Sequence, residues 1–236
     1  MSLHTQAAPA IDTLRGELDR IDADLLSLME RRLSLARGMA AAKASTTDDL
    51  LLRPDREERV VARLAAKSTC LPEASIAVIW RELMALNLQA QRRTRVVIHA
   101  ASEVHGIVAR ASARFGTSAP VVHAVSPSEA LARARSGRAI AVIELYQPNG
   151  WWRALADHPE LRIIDELRGP GGRGTALAVG RVAREHLTRG RRWEVVEEAE
   201  LVGRICAGET ICPLAAAGSL RLCVVENVAP SVRVAA

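Results

Sequence analysis

Apolar residues recur every three or four positions along the first 43 residues, which is the period of an amphipathic helix. The stripe begins with Leu14, Leu18, Ile21, Leu25 and Leu28. A polar run at residues 45–49 interrupts it. We therefore predict one long helix over residues 11–43, which is too long to pack along its whole length on short helices of its own chain.

The same period predicts two shorter helices. Pro54 suits the first turn of the second helix, and the third runs from Pro72 to about Gln91. Their apolar stripes are Val60, Val61 and Leu64, and Ile76, Trp80 and Leu83. Residues 89–95 lose this period and gain charge, so we place a domain boundary between residues 92 and 93.

Beyond the boundary the period changes to short runs rich in β-branched residues. These runs lie at 96–98, 121–122, 140–143, 161–164 and 176–179, with helix-like stretches at 104–114 and 128–136 between the first three. Alternating strands and helices indicate a mainly parallel sheet. The sequence also fits strands at 194–202, 205–212 and 220–225, but it does not predict their positions in a sheet. The predicted fold class is therefore multidomain, with an all-α three-helix domain at 1–92 and an α/β domain at 93–236.

Composition narrows the classes of partner. Only 3% of the residues are aromatic, so the chain has few side chains on which nucleic-acid bases could stack. The net charge is +5, but residues 1–92 carry 13 Lys/Arg and 13 Asp/Glu, so the excess is spread through residues 93–236. No apolar run approaches the roughly 18 residues of a membrane span. We therefore expect neither nucleic acid nor membrane as a partner.

Cysteine usage bears on the compartment. The four cysteines lack the spacing of a zinc site, and no signal segment precedes the first helix. We expect reduced thiols in a cytoplasmic protein, without a bound metal.

Polar side chains replace apolar ones on the stripe of every predicted helix. They are Arg32 and Lys43 on the first helix, Glu57 on the second, and Asn87 and Gln91 on the third. Arg32 and Lys43 lie about three turns, or roughly 16 Å, apart on nearly the same face. A single such residue is readily explained as one that fixes register, or as a cation that reaches solvent. A cluster on three converging stripes would leave buried donors unpaired at about 1–3 kcal/mol each, and a bound anion removes that cost.

Taken as one ordered pattern, these residues resemble the all-helical class of chorismate mutase over residues 11–91. The matching positions are Leu14-Arg15, Arg32, Lys43, Arg56-Glu57, Asn87 and Gln91. The resemblance implies an intertwined homodimer in which the long helices pair and each site takes Arg15 from the second copy. The length of the predicted first helix agrees with this arrangement.

The resemblance also implies a reaction, the rearrangement of chorismate to prephenate in the biosynthesis of Phe and Tyr. The substrate is a dianion, and the one-molecule pericyclic shift needs no proton transfer, covalent intermediate, metal or cofactor. The protein has only to hold a compact conformer and stabilise charge on the ether oxygen. The implied roles are carboxylate binding for Arg15 and Arg32, donation to the ether oxygen for Lys43 and Gln91, acceptance from the ring hydroxyl for Glu57, and support of the pocket wall for Arg56 and Asn87.

Residues 94–181 resemble, more faintly, the prephenate dehydratase domain that often follows this mutase. The resemblance rests on Val142-Ile-Glu144 at a strand end and on residues 174–181. The active family carries Thr-Arg-Phe in the second segment, whereas this chain reads Thr175-Ala176-Leu177. We therefore expect a degenerate, non-catalytic domain. The glycine-rich residues 169–174 lie between two predicted strands, so they indicate a turn and not a phosphate loop.

His99, His123 and Glu144 each fall at the end of a predicted parallel strand. Open α/β sheets bind ligands at that edge, although solvated or hydrogen-bonded side chains are the commoner outcome there. Three alternatives to a mutase with an inactive second domain stay open: a bifunctional chorismate mutase/prephenate dehydratase, an isochorismate-pyruvate lyase, and a ligand-sensing α/β protein whose helical domain only dimerises.

Overall fold

Three helices form the N-terminal part of the computed structural model, which describes residues 11–42, 49–146, 150–188 and 190–226. They are α1 (Ile11–Ala42), α2 (Pro54–Ala65) and α3 (Glu73–Gln91). All three predicted helices are confirmed, and Pro54 and Pro72 mark the starts of α2 and α3 as expected.

A five-stranded sheet follows. Its elements are β1 (Arg95–His99), α4 (Val104–Phe115), β2 (Val121–His123), α5 (Pro127–Ala134), β3 (Ala139–Glu144), β4 (Arg162–Arg168) and β5 (Gly174–Gly180). The strand order is β2-β1-β3-β5-β4, and only β5 runs against the other four strands. The predicted mainly parallel sheet is therefore confirmed.

Residues alternate along the central strands between two buried clusters on opposite faces of this sheet. Ile140 and Val142 of β3 belong to one cluster together with α4, whereas Ala141 and Ile143 belong to the other together with α5. Both sets are apolar because both faces of the sheet are covered, which explains the continuous apolar run in the sequence.

A second sheet covers the α5 face. It contains β6 (Arg191–Glu197), β7 (Ile211–Ala217) and β8 (Leu220–Glu226) in the antiparallel order β6-β8-β7, and Leu222 of β8 enters the α5-side cluster. The helix α6 (Glu198–Cys206) lies between β6 and β7. The strands suggested at 194–202 and 205–212 were therefore wrong over residues 198–206, where the chain is helical.

The core crosses the predicted domain boundary. Leu50 and Leu52 precede α2 and Leu88 lies on α3, yet all three are buried in the α4-side cluster of the sheet. The end of α4 also approaches α3 closely, because a Cβ at Gly116 would lie 2.2 Å from Ala85 Cβ. The helical part is thus packed directly onto the α/β part.

The long helix α1 leaves its apolar stripe uncovered. It is about 48 Å long by helical rise and packs against α3. The stripe residues Leu14, Leu18, Ile21, Leu25 and Leu28 are each between 44% and 60% exposed. A contiguous apolar stripe of this kind is typical of a helix that packs against another molecule.

Candidate active site

Arg32 lies in the contact between α1 and α3. Its side chain is half-buried, and Nη1 donates a hydrogen bond to the backbone oxygen of Leu83 at 2.9 Å. Burial, and secondly the nearby guanidinium of Arg56, lower the pKa of Arg32 from its usual value. The positive charge of Arg56 on α2 therefore acts on Arg32 of α1, an arrangement that an anion near both groups would stabilise.

Asn87 and Gln91 lie one and two turns beyond Leu83 on α3, on the same helix face as the carbonyl that Arg32 binds. Both side chains are half-buried. Within the part of the chain that the structure describes, neither amide makes a side-chain hydrogen bond. Their donors are therefore available to a ligand on the Arg32 side of α3.

Arg15 lies far from this group on its own chain. It is 17 residues from Arg32 along one continuous helix, a distance of about 25 Å. Its side chain is 68% exposed and pairs with Asp12 at 3.2 Å. Arg15 can thus reach an Arg32 site only in another copy of the chain. Lys43 lies outside the described residues.

Arg56 and Glu57 are neighbours on α2 but meet different partners, because consecutive helical residues point about 100° apart. The charge of Arg56 acts on Arg32. The Glu57 carboxylate instead accepts a hydrogen bond from Arg114 Nη1 on α4 at 2.8 Å. The structure therefore couples Arg32 to Arg56 and to α3 at Leu83, with Asn87 and Gln91 further along that helix, and ties Glu57 to the second domain.

Sequence reasoning missed Arg114 and its second partner Asp165, whose Oδ2 lies 2.5 Å from Arg114 Nε. The local signal for Arg114 is its position on the buried face of α4, three residues after Ala111 and seven after Ile107. Its partners are more than 50 residues away in each direction, so only the tertiary structure reveals the group.

Glu144 is 6% exposed at the end of β3, and both of its carboxylate oxygens accept hydrogen bonds from within the fold. It accepts hydrogen bonds from the backbone N–H groups of Ala101 (2.5 Å) and Ser102 (3.0 Å) and from the Ser102 hydroxyl. Burial alone would raise the pKa of Glu144, but the bonds from Ser102 and Ala101 lower it overall. The carboxylate thus fills the crevice between the ends of β1 and β3, where open α/β sheets bind ligands.

The other strand-end residues are less informative. His99 Nδ1 donates to the backbone oxygen of Ala124 at 3.0 Å, and His123 is exposed. Across the described ranges, His, Cys, Asp and Glu side chains form no group that could hold a metal ion. Residues 170–172 form a short 3-10 turn between β4 and β5, which confirms the predicted turn, and Gly171 adopts a φ of 77° that other residues rarely adopt.

Two open clefts lie away from the Arg32 region. One, of about 370 Å³, is lined by residues that include Tyr146, Trp152 and Arg221. The other, of about 350 Å³, is lined by residues that include Glu58, Asp165 and Trp193. Neither cleft is lined by a residue predicted for the site.

The helical part is similar to a known family. Residues 14–92 match the family Chorismate mutase type II, which spans nearly the whole of α1 through α3. The match stops before the first strand of the sheet.

Curated relatives include the intracellular chorismate mutases of Mycobacterium tuberculosis and Mycobacterium bovis. Each is 38% identical over 61 residues, which cover 26% of this chain and 57% of the relative. The chain thus spans little more than half the length of the curated relatives it matches. No solved structure matches the chain. Among the described residues, no helix is both long enough and apolar enough to cross a membrane.

Proposed function

We propose that this chain is a chorismate mutase, an isomerase that rearranges chorismate to prephenate without a cofactor. The observation that carries the proposal is the match of residues 14–92 to the family. The half-buried Arg32, the charge of Arg56 that acts on it, and the amides of Asn87 and Gln91 on α3 support it. Chorismate carries two carboxylates, so a region with two close guanidiniums suits it.

In the proposed mechanism, Arg32 and Arg15 of a second copy each hold one carboxylate through a guanidinium fork. Lys43 and Gln91 donate to the ether oxygen, where negative charge develops as the bond breaks. Arg56 and Asn87 form the wall of the pocket, and Glu57 accepts from the ring hydroxyl. Because the reaction is unimolecular, holding the compact conformer supplies much of the acceleration.

We propose that the active form is a homodimer paired through α1. Two observations support this. The apolar stripe of α1 is open to solvent in the single chain, and Arg15 lies about 25 Å from Arg32 on its own helix. A second, antiparallel α1 would cover the stripe and bring its Arg15 towards Arg32.

We propose that residues 93–236 are a non-catalytic second domain and that the protein is cytoplasmic. Thr175 supports the first point, because its hydroxyl donates to the backbone oxygen of Leu167 at 3.0 Å while Ala176 and Leu177 are fully buried. The side chains of that segment therefore pack within the sheet and do not face a ligand site. The cysteines, all four of which are free thiols, support the second point.

The test is to follow the loss of chorismate by its ultraviolet absorbance and to identify prephenate as the product. Arg32→Ala should lower kcat/KM strongly, whereas Arg37→Ala, an exposed arginine elsewhere on α1, should behave as wild type. A wild-type protein that leaves chorismate intact would refute the mutase. Phenylpyruvate formed from added prephenate would refute the inactive second domain, and pyruvate released from isochorismate would identify a lyase.

A further inference from the structure

A chain of three charged side chains connects the helical part to the second domain. Glu57 of α2 pairs with Arg114 of α4 at 2.8 Å, and Arg114 pairs with Asp165 of β4 at 2.5 Å. The Arg114 side chain is only 13% exposed. Its guanidinium also lies 5.0 Å from the centre of the Phe115 ring. Arg114 is therefore held on three sides, and its position is well defined.

The start of α2 is fixed to the same region by packing. Leu52 and Pro54 are buried, and Leu50 N donates to the backbone oxygen of Arg181 at 2.8 Å. These contacts attach the first turn of α2 to the sheet. The ion pair with Arg114 then selects the direction in which the Glu57 side chain points.

The geometry leaves part of the Glu57 carboxylate unused. Oε2 accepts from Arg114, while Oε1 accepts no hydrogen bond from any residue that the structure describes. A carboxylate can accept about four hydrogen bonds, so Glu57 can keep Arg114 and still accept from a hydroxyl. Its neighbour Arg56 acts through its charge on Arg32, which relates this turn of α2 to the proposed site.

We propose that Arg114 is a positioning residue for the mutase site: it holds one oxygen of Glu57 so that the other accepts the ring hydroxyl of the substrate. The second domain thereby completes a site whose binding residues all lie in the helical part. This inference rests on the proposed function and adds to it a role for residues 93–236.

Other charged groups lie around this ion pair. Burial and the carboxylate of Asp165 raise the pKa of the neighbouring Glu58, on which Arg114 and Arg191 of β6 act in the opposite direction. Without Arg114, the Glu57 carboxylate would lose the hydrogen bond that directs its side chain.

The experiment uses the full chain and measures kcat and KM for chorismate. Arg114→Ala should lower kcat/KM by about 10- to 100-fold, because a carboxylate that moves by about 1 Å no longer meets its hydroxyl. Arg114→Lys should restore part of the activity, since it keeps the charge but loses the fork. In a Glu57→Ala background, Arg114→Ala should have no further effect.

Two controls separate positioning from structure. Arg110→Ala removes an arginine one turn earlier on α4, which pairs with Glu103 of the same segment at 2.8 Å, and should leave kcat and KM unchanged. Asp165→Asn keeps the contact between Arg114 and Glu57 but loosens Arg114, so it should give a smaller loss of kcat/KM even if Arg114→Ala folds poorly. Circular dichroism checks the fold of each variant.

The outcomes are distinct. If the wild type converts chorismate but folded Arg114→Ala is at least as active, the positioning role is overturned and the mutase stands. The same holds if the double variant Arg114→Ala/Glu57→Ala loses more kcat/KM than Glu57→Ala alone. If Arg114→Ala does not fold, an unchanged kcat/KM in both Asp165→Asn and Arg114→Lys overturns it. An inactive wild type overturns both proposals.

Discussion

Leu50→Ala tests whether the helical part and the α/β part unfold as one unit. Leu50 is 2% exposed and lies in the cluster shared with the sheet. A methyl group built at Gly180 would come within 2.5 Å of Leu50 Cδ1, so the leucine touches the backbone of β5 directly. Because a central strand cannot move into the space left by the missing carbons, the cavity should stay open.

The expected cost is about 3 kcal/mol, from the range of about 2–5 kcal/mol for buried Leu→Ala changes. At roughly 2–4 °C per kcal/mol for a protein of this size, the midpoint of thermal unfolding should fall by about 6–12 °C. The assay is thermal unfolding followed by far-ultraviolet circular dichroism, which reports the helices, and by tryptophan fluorescence. Three of the four tryptophans, Trp151, Trp152 and Trp193, lie in the second part.

Both signals should shift together in Leu50→Ala, because the two parts share the cluster that the substitution damages. Leu71→Ala, a change of the same size at a leucine that is 53% exposed, should shift the midpoint little. The reasoning is refuted if the helical signal keeps its wild-type midpoint while the fluorescence transition moves, or if neither transition moves.

Three further predictions concern single side chains. Gln91→Ala should lower kcat by about 10²–10³ with little change in KM, because its donor acts mainly in the transition state; steady-state kinetics check this, and an equal rise in KM would contradict it. Arg15→Ala and Arg32→Ala should each be inactive, but after subunit exchange their mixture should recover about a quarter of wild-type activity, because a heterodimer has one intact site. Glu144→Gln should lower the free energy of unfolding at pH 7 by about 1–3 kcal/mol, since two buried N–H groups lose their carboxylate. The pKa of Glu144 is lowered in the folded state, so its contribution is present above the unfolded value of about 4.3 and lost as pH falls through the folded value. Urea titrations should therefore show a larger loss in the free energy of unfolding, relative to wild type, at pH 7 than at pH 3. An equal loss at both pH values would be inconsistent with that linkage.

Much of the secondary structure could be predicted from local pattern. The period of three to four residues predicted α1, α2 and α3, and the β-branched runs predicted all five strands of the first sheet. The second sheet was harder to predict from the sequence, because α6 has a run of glutamates and aliphatic residues that is equally compatible with a strand. Whether such a short segment is helix or strand depends on the surface it packs against, which sequence alone does not state.

The candidate site could be predicted in part, for the same reason. Arg32, Asn87 and Gln91 interrupt apolar stripes, and a polar residue on an apolar face is visible in a single helix. The role of Lys43 stays a prediction. Arg114 follows Ile107 and Ala111 on the buried face of α4, but nothing in α4 by itself indicates that its partner is Glu57.

The sequence by itself determined the helices, the strands and the faces that turn polar, because these depend on residues within one or two turns of each other. Only the tertiary structure decided that Leu50 and Leu88 belong to the core of the sheet, that Glu57 points to Arg114, and that Glu144 fills the crevice between β1 and β3. Those contacts join residues 40 or more positions apart, and such pairs are selected by how preformed surfaces fit together and which buried charges must be neutralised.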